Sequence, residues 1–209
     1  MQDRDYITVR GFSEAEFTEK KSRFIGYMSH VTTDEEAVAF INDIRSRHRK
    51  ATHNVYAYIL RGDSITRYSD DGEPQGTAGV PVFEVLRKEG LTDVCCVVTR
   101  YFGGILLGGG GLVRAYSKAA KIAADSGEKM IMRRCFPMRI TSDYSLYGKI
   151  SAMLPEFTVK VTDTDFGENV SLSLLCPENE AEELEKKVAD ICCGKAVVQK
   201  DGISFENFA

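Results

Sequence analysis

Hydrophobic residues in this chain switch between two periods, and the switches mark out its elements. EKKSRFIGYMSHV alternates loosely and predicts a strand over residues 22–31. In TTDEEAVAFINDIRSRH, Ala37, Phe40, Ile41 and Ile44 recur at three- and four-residue intervals, predicting a helix with one buried face. Thr33 and Glu36 stand at capping-box spacing at its start. HNVYAYIL and SITRYS read as two arms of a hairpin turning at Arg61-Gly62-Asp63-Ser64. PVFEVLRKEG, with Pro81 near its first turn, reads as a second helix. LTDVCCVVTRY is almost wholly apolar, as a strand covered on both faces at the centre of a sheet requires. A glycine-rich stretch follows, then a helix expected over 112–124, and this unit ends before Arg133.

The remainder reads as PMRITSD strand, SLYGKISAMLP helix, FTVKVTDTD strand, ENVSLSLLC strand, ENEAEELEKKVADICC helix and KAVVQK strand, with a turn at Phe166-Gly167-Glu168 between the middle strands. That is the order of the ferredoxin-like split unit. The short basic segment MRRCF, around Arg133 and Arg134, is the expected linker. The predicted fold class is α+β in two domains, residues 1–132 and 133–209.

Composition narrows the function classes. At 209 residues, 43% hydrophobic and 28% charged, the chain has the makings of a globular protein with two cores. No apolar run approaches the roughly 18 residues needed to cross a bilayer, and MQDRDYITVR is polar and mixed in charge, so the expectation is a cytoplasmic protein without a membrane partner. Among six cysteines, Cys95–Cys96 and Cys192–Cys193 are adjacent pairs and no Cys-x-x-Cys occurs. They read as small buried apolar residues in a reducing compartment, with no metal and no cofactor implied. The net charge is −4; residues 1–132 carry 18 basic and 18 acidic side chains, so the acidic excess lies in the second part. Attraction to nucleic acid must therefore come from a local basic patch.

Several stretches carry candidate chemistry. TRYFGGILLGGGGLVRAY places six glycines between Gly103 and Gly111, after a strand and before a helix. Such a junction presents backbone N–H groups to an anion. Arg100 before the loop and Arg114 in the first helical turn would assist, with Gly103, Gly104, Gly108, Gly109 and Gly110 approaching a phosphate. The alternative is that Gly108–Gly111 let the helix pack hard against the sheet. The stretch is not a P-loop, because Gly109 and Gly110 stand where Lys and Ser/Thr belong. SDDGEPQGTAGVP offers a second helix start with Thr77 and Gly79, and its Asp70, Asp71 and Glu73 read as either divalent-cation ligands or solvated turn residues. RSRHRKATHNVYAY crowds Arg45, Arg47, Arg49 and Lys50 at a helix end near His53, Tyr56 and Tyr58, a pattern suited to gripping an RNA backbone or to an ordinary solvated helix end. His53 also has the chemistry of a general base. Lys20, Lys21 and Arg23 add a further positive stretch.

KSRFI, ATHNVYAY, DDGEPQGTAG and VVTRYFGGILLGGGGLVRAYS, in that order, make the chain resemble the YigZ/IMPACT family over residues 19–124, and the tail resembles the small C-terminal domain of bacterial members. The resemblance implies a first domain with the left-handed βαβ fold of a ribosomal protein's second domain, the fourth domain of elongation factor G and galactokinase-type kinases. It implies a second domain similar to the fifth domain of elongation factor G. Eukaryotic relatives act in translational control through an extra N-terminal domain, and this chain begins almost at the shared region, so that partner does not transfer. The leading expectation is a non-enzymatic RNA- or ribosome-binding protein linked to regulation of translation. The alternative is an enzyme or sensor taking a small phosphorylated ligand or nucleotide at the glycine loop. A third reading is a regulatory protein partner on the acidic face around Glu178–Glu185.

Overall fold

Alternating strand side chains and three helices, two of which begin at glycines, build the first of two compact units in a computed structural model that describes residues 4–61 and 65–208. This unit spans Tyr6–Ile131. Its elements are β1 (Tyr6–Val9), β2 (Phe12–Glu19), β3 (Ser22–His30), α1 (Asp34–Arg47), β4 (His53–Ile59), β5 (Thr66–Ser69), α2 (Gly79–Lys88), β6 (Val94–Tyr101) and α3 (Gly109–Ser126). Five strands form an antiparallel sheet in the order β2-β3-β6-β4-β5. β6 is the middle strand, and its first seven residues are buried, as its apolar run requires. α2 and α3 cover one face through Val82, Leu86, Tyr116 and Ala119 against Phe24, Val55 and Val98. α1 covers the other with Ala37, Ile41 and Ile44 near Ile25, Tyr58 and Val97.

Local signals explain most boundaries. Thr33 caps α1 by accepting from the Glu36 N–H at 3.2 Å, while the Glu36 carboxylate accepts from the Thr32 N–H at 2.7 Å. β4 and β5 pair as hairpin arms; the turn residues Gly62, Asp63 and Ser64 lie outside the described residues. Two strands escaped the pattern. In β2 the inward face carries Ser13, Ala15 and Phe17, of which the most buried is Ser13, donating to the Ala123 carbonyl at 2.8 Å, while Phe12 is exposed on the other face, so the apolar alternation is too weak to mark the strand. β1 is only four residues long. α3 starts at Gly109, three residues before the apolar pattern shows it, because glycine has low intrinsic helix propensity.

The second unit covers 132–208 together with residues 4 and 5. β7 (Lys129–Ser142) leads into it, followed by α4 (Tyr144–Met153), β8 (Lys160–Phe166), β9 (Val170–Pro177), α5 (Glu178–Ile191), β10 (Val197–Lys200) and β11 (Ser204–Glu206). The strand–helix–strand–strand–helix–strand order is present, with antiparallel neighbours β10-β7-β9-β8. The core combines Met138, Ile140, Ile150, Leu172, Leu174, Leu184 and Val188. MRRCF is not a loop linker. It lies inside β7, where β11 pairs with Arg133, Arg134 and Cys135. The Arg134 N–H donates to Asp5 at 2.9 Å and its guanidinium pairs with Glu178 at 3.1 Å, so strand hydrogen bonds and carboxylates absorb this basic segment. No helix among the described residues is long and apolar enough to cross a membrane.

On the α1 face, His48 is held between two tyrosine hydroxyls, 2.6 Å from Tyr27 and 2.9 Å from Tyr101. Burial first, then the positive charge of Arg23 and Arg47 set against Glu14, moves its pKa below the ordinary 6.5. The folded protein thus takes up this proton less readily than the unfolded chain. Its stabilisation is complete above pH 6.5 and declines as pH falls from there toward the lowered folded value. In urea titrations at pH 7.5 and 5, wild type is expected to lose stability on acidification relative to His48→Gln; parallel losses would contradict this placement.

Candidate functional site

The loop DDGEPQGTAG is fastened by its own carboxylates. Asp70 accepts from the N–H groups of Gly76 at 2.8 Å, Ala78 at 3.0 Å and Gly79 at 2.8 Å, filling the start of α2 with an internal anion. Asp71 accepts from Arg45 at 2.8 Å and from the Asn54 N–H at 2.7 Å. Its carbonyl receives His53 Nδ1–H at 2.8 Å, which fixes the tautomer and points Nε2 toward Glu73, 3.8 Å away. Glu73, 8% exposed, accepts from Arg100, 5% exposed, and from the Tyr116 hydroxyl at 2.7 Å. Burial, followed by the Glu73 charge, drives the Tyr116 pKa far up, so its hydroxyl stays protonated and donates.

This network relocates several expected site residues. Arg100 does not reach outward to a phosphate: its guanidinium is buried against Glu73, 5.4 Å from the Phe24 ring centre and 5.5 Å from that of Phe102. Thr77 and Gly79 do not offer a free anion site, because Asp70 occupies the amides of α2 and the Thr77 hydroxyl donates to the Pro74 carbonyl at 2.6 Å. The three acidic residues are engaged internally, and no cluster of metal-ligating side chains occurs among the described residues. Arg23 pairs with Glu16. Arg49 and Lys50 are exposed on the turn after α1, while α1 packs on the opposite face of the sheet from α3. Glu178, Glu180 and Glu185 on α5 meet Arg134, the Thr158 N–H and Lys200, respectively.

The glycine loop itself remains open. Gly104 and Gly108 have φ of +84° and +72°, and Gly108, Gly109 and Gly110 are exposed at the start of α3, which no side chain caps. The first-turn N–H groups there have no intrahelical acceptor. These glycines do not press α3 against the sheet. A Cβ at Gly108 would meet open space, and one at Gly109 would only touch Thr77, at 3.9 Å. Gly103 has a different task. A Cβ there would fall less than 3.0 Å from the backbone of Lys21, so its absence lets the β2–β3 turn lie directly on the loop. Lys20 and Lys21 form that turn with φ of +45° and +63°, a conformation that favours glycine or asparagine. Strain of this kind persists only where surrounding contacts hold it.

Between this turn and α3 lies a cavity of about 260 Å³ lined by Phe17, Glu19, Lys20, Leu107, Gly111, Arg114, Ala115 and Lys118. Among the described residues, Lys20, Arg114 and Lys118 form no ion pair. Phe17 and Lys118 in this cavity, and Tyr116 in the Glu73 network, are contributors not singled out along the sequence. Lys118 had a usable signal: it stands four residues after Arg114, hence on the same helix face.

The fold and site thus define a two-unit α+β protein with an internally tied acidic loop and an open glycine loop flanked by Lys20, Arg114 and Lys118. A model of the Impact N-terminal domain matches residues 20–124, and a model of a domain of unknown function (DUF1949) matches residues 140–195. The chain belongs to the YigZ/IMPACT family. It is 40% identical over 204 residues to IMPACT family member YvyE of Bacillus subtilis, covering 96% of this chain and 93% of that one. IMPACT family member YigZ of Escherichia coli is 34% identical over 181 residues, covering 84% and 87%. A solved structure titled as a crystal structure of a hypothetical protein superposes with a TM-score of 0.64 at 30% identity, over 95% of this chain and 98% of that one.

Proposed function

We propose that this protein acts without catalysis, binding RNA through its phosphates at the surface formed by the Lys20–Lys21 turn, the amino end of α3, Arg114 and Lys118. The observation that carries the reading is the convergence of Lys20, Arg114 and Lys118 on one cavity, where they form no ion pair among the described residues and outnumber the one lining carboxylate, Glu19. Unpaired cations beside uncapped helix amides favour a polyanion. The fold relationships implied by the family resemblance, to a ribosomal protein's second domain and to the fourth and fifth domains of elongation factor G, support ribosomal RNA as the partner and regulation of translation as the setting. A phosphorylated small ligand assisted by Mg²⁺ is disfavoured by the internal engagement of Asp70, Asp71 and Glu73.

Co-sedimentation with purified ribosomes and with bulk RNA tests this. Binding should fall steeply between about 50 and 200 mM salt. Arg114→Ala/Lys118→Ala should weaken it about 10-fold or more at low salt and flatten the salt dependence by roughly two charges. Wild-type protein that stays in the supernatant at low salt would overturn the reading.

A further inference from the structure

We infer that the cavity between the β2–β3 turn and α3 receives one unstacked base of a single-stranded RNA, with Phe17 as its platform. The inference rests on the RNA-binding reading above and deepens it, because phosphate contacts alone do not distinguish a strand from a duplex.

The cavity has two chemistries. Phe17, Leu107 and Ala115 supply apolar surface, while Lys20, Arg114 and Lys118, set against the single carboxylate of Glu19, leave a net positive charge. A simple anion leaves the apolar part unused, and an apolar ligand leaves an excess of positive charge unanswered, since Glu19 is the one carboxylate lining the cavity against three cations. A planar base joined to a phosphate satisfies both. The volume, about 260 Å³, lies just below the roughly 300–1,000 Å³ typical of small-molecule pockets, which suits a single nucleotide unit.

Phe17 is prepared for this task by its neighbours. It lies opposite Phe24 in the β2–β3 register, and the rings stack at 5.4 Å with 12° between planes. Phe24 is itself fully buried and meets Tyr116 edge-on at 5.3 Å, so the platform is anchored in the core. The Lys118 ammonium sits 4.3 Å from the Phe17 ring centre. That cation–π contact holds the lysine in place until a phosphate draws it aside and a base takes the ring. Base–aromatic stacking tolerates any base, so the site reads strandedness rather than sequence. In a duplex the bases are already stacked on one another and cannot enter.

Fluorescence anisotropy with a labelled eight-nucleotide oligouridylate and a labelled duplex of mixed sequence, both at low salt, tests the inference. Phe17→Leu, which keeps an apolar side chain over Phe24, should weaken single-strand binding about 10-fold and change duplex binding less than twofold. Phe17→Tyr, which keeps the ring, should restore the wild-type preference and confirms that the loss is not one of folding. Unchanged single-strand affinity in Phe17→Leu, or equal losses for strand and duplex, overturns the base pocket while leaving phosphate binding standing. Absence of binding to either probe by wild type fails the RNA reading itself. Competition by free uridine monophosphate as effectively as by unlabelled oligouridylate overturns the assignment to a strand and makes the cavity a mononucleotide site.

Discussion

Arg100→Ala is expected to destabilise the first unit by roughly 3–5 kcal/mol, read as a lower urea midpoint with an unchanged slope. The cost arises at Glu73, whose buried carboxylate would keep only the Tyr116 hydroxyl and the more distant His53 ring. An unpaired charge in such a place is far more costly than the pair was favourable. For that reason Glu73→Gln/Arg100→Met should recover much of the loss, since two neutral side chains need no counter-charge. A loss below about 1 kcal/mol would mean that Glu73 has another way to be neutralised. The same variant separates two roles for Arg100: at temperatures where it remains folded, it should bind RNA nearly as wild type, because its guanidinium faces Glu73 and not the glycine loop.

Gly26→Ala should cost about 1–3 kcal/mol or more through overpacking. Gly26 lies in β3 beneath α3, and an added Cβ would fall less than 3.0 Å from the Ala119 carbonyl oxygen and at 3.0 Å from the Ala123 side chain. The first obstacle is helix backbone, which can move only by lifting α3 off the sheet. That displacement would also carry Arg114 and Lys118 away from the Lys20–Lys21 turn, so the lowered midpoint should be accompanied by weaker RNA binding. Gly109→Ala is the contrasting variant. Its Cβ has space, and alanine is a better helix former, so its stability should match or slightly exceed wild type. Equal destabilisation by the two substitutions would contradict the assignment of close packing to Gly26.

Sequence and structure therefore disagree most usefully about glycine and arginine. The run Gly108–Gly111 admits both an anion-binding and a tight-packing interpretation. The tight helix–sheet contact belongs instead to an isolated glycine in β3, where nothing in the local pattern marks it. Arg100 follows an apolar strand and precedes a glycine loop, so it reads as a surface cation. Its partner Glu73 is 27 residues earlier in the chain, reached only when the sheet sets β6 beneath the acidic loop. Asp70 likewise fills the start of α2 from eight and nine residues upstream.

The class of fold, the α1 capping arrangement, the central place of β6 and the order of elements in the second unit are all legible along the chain. Each depends on residues a few positions apart: side-chain periodicity, a cap or a turn. Which charges are paired and which are not emerges when the strands and helices come together. Glu73 neutralises Arg100, Asp71 engages Arg45 and Glu16 engages Arg23, while Lys20, Arg114 and Lys118 converge on one cavity beside the single carboxylate of Glu19 and form no ion pair among the described residues. Ion pairing depends on distances of a few ångströms between side chains from different strands and helices, and hydrophobic periodicity carries no information about that distance.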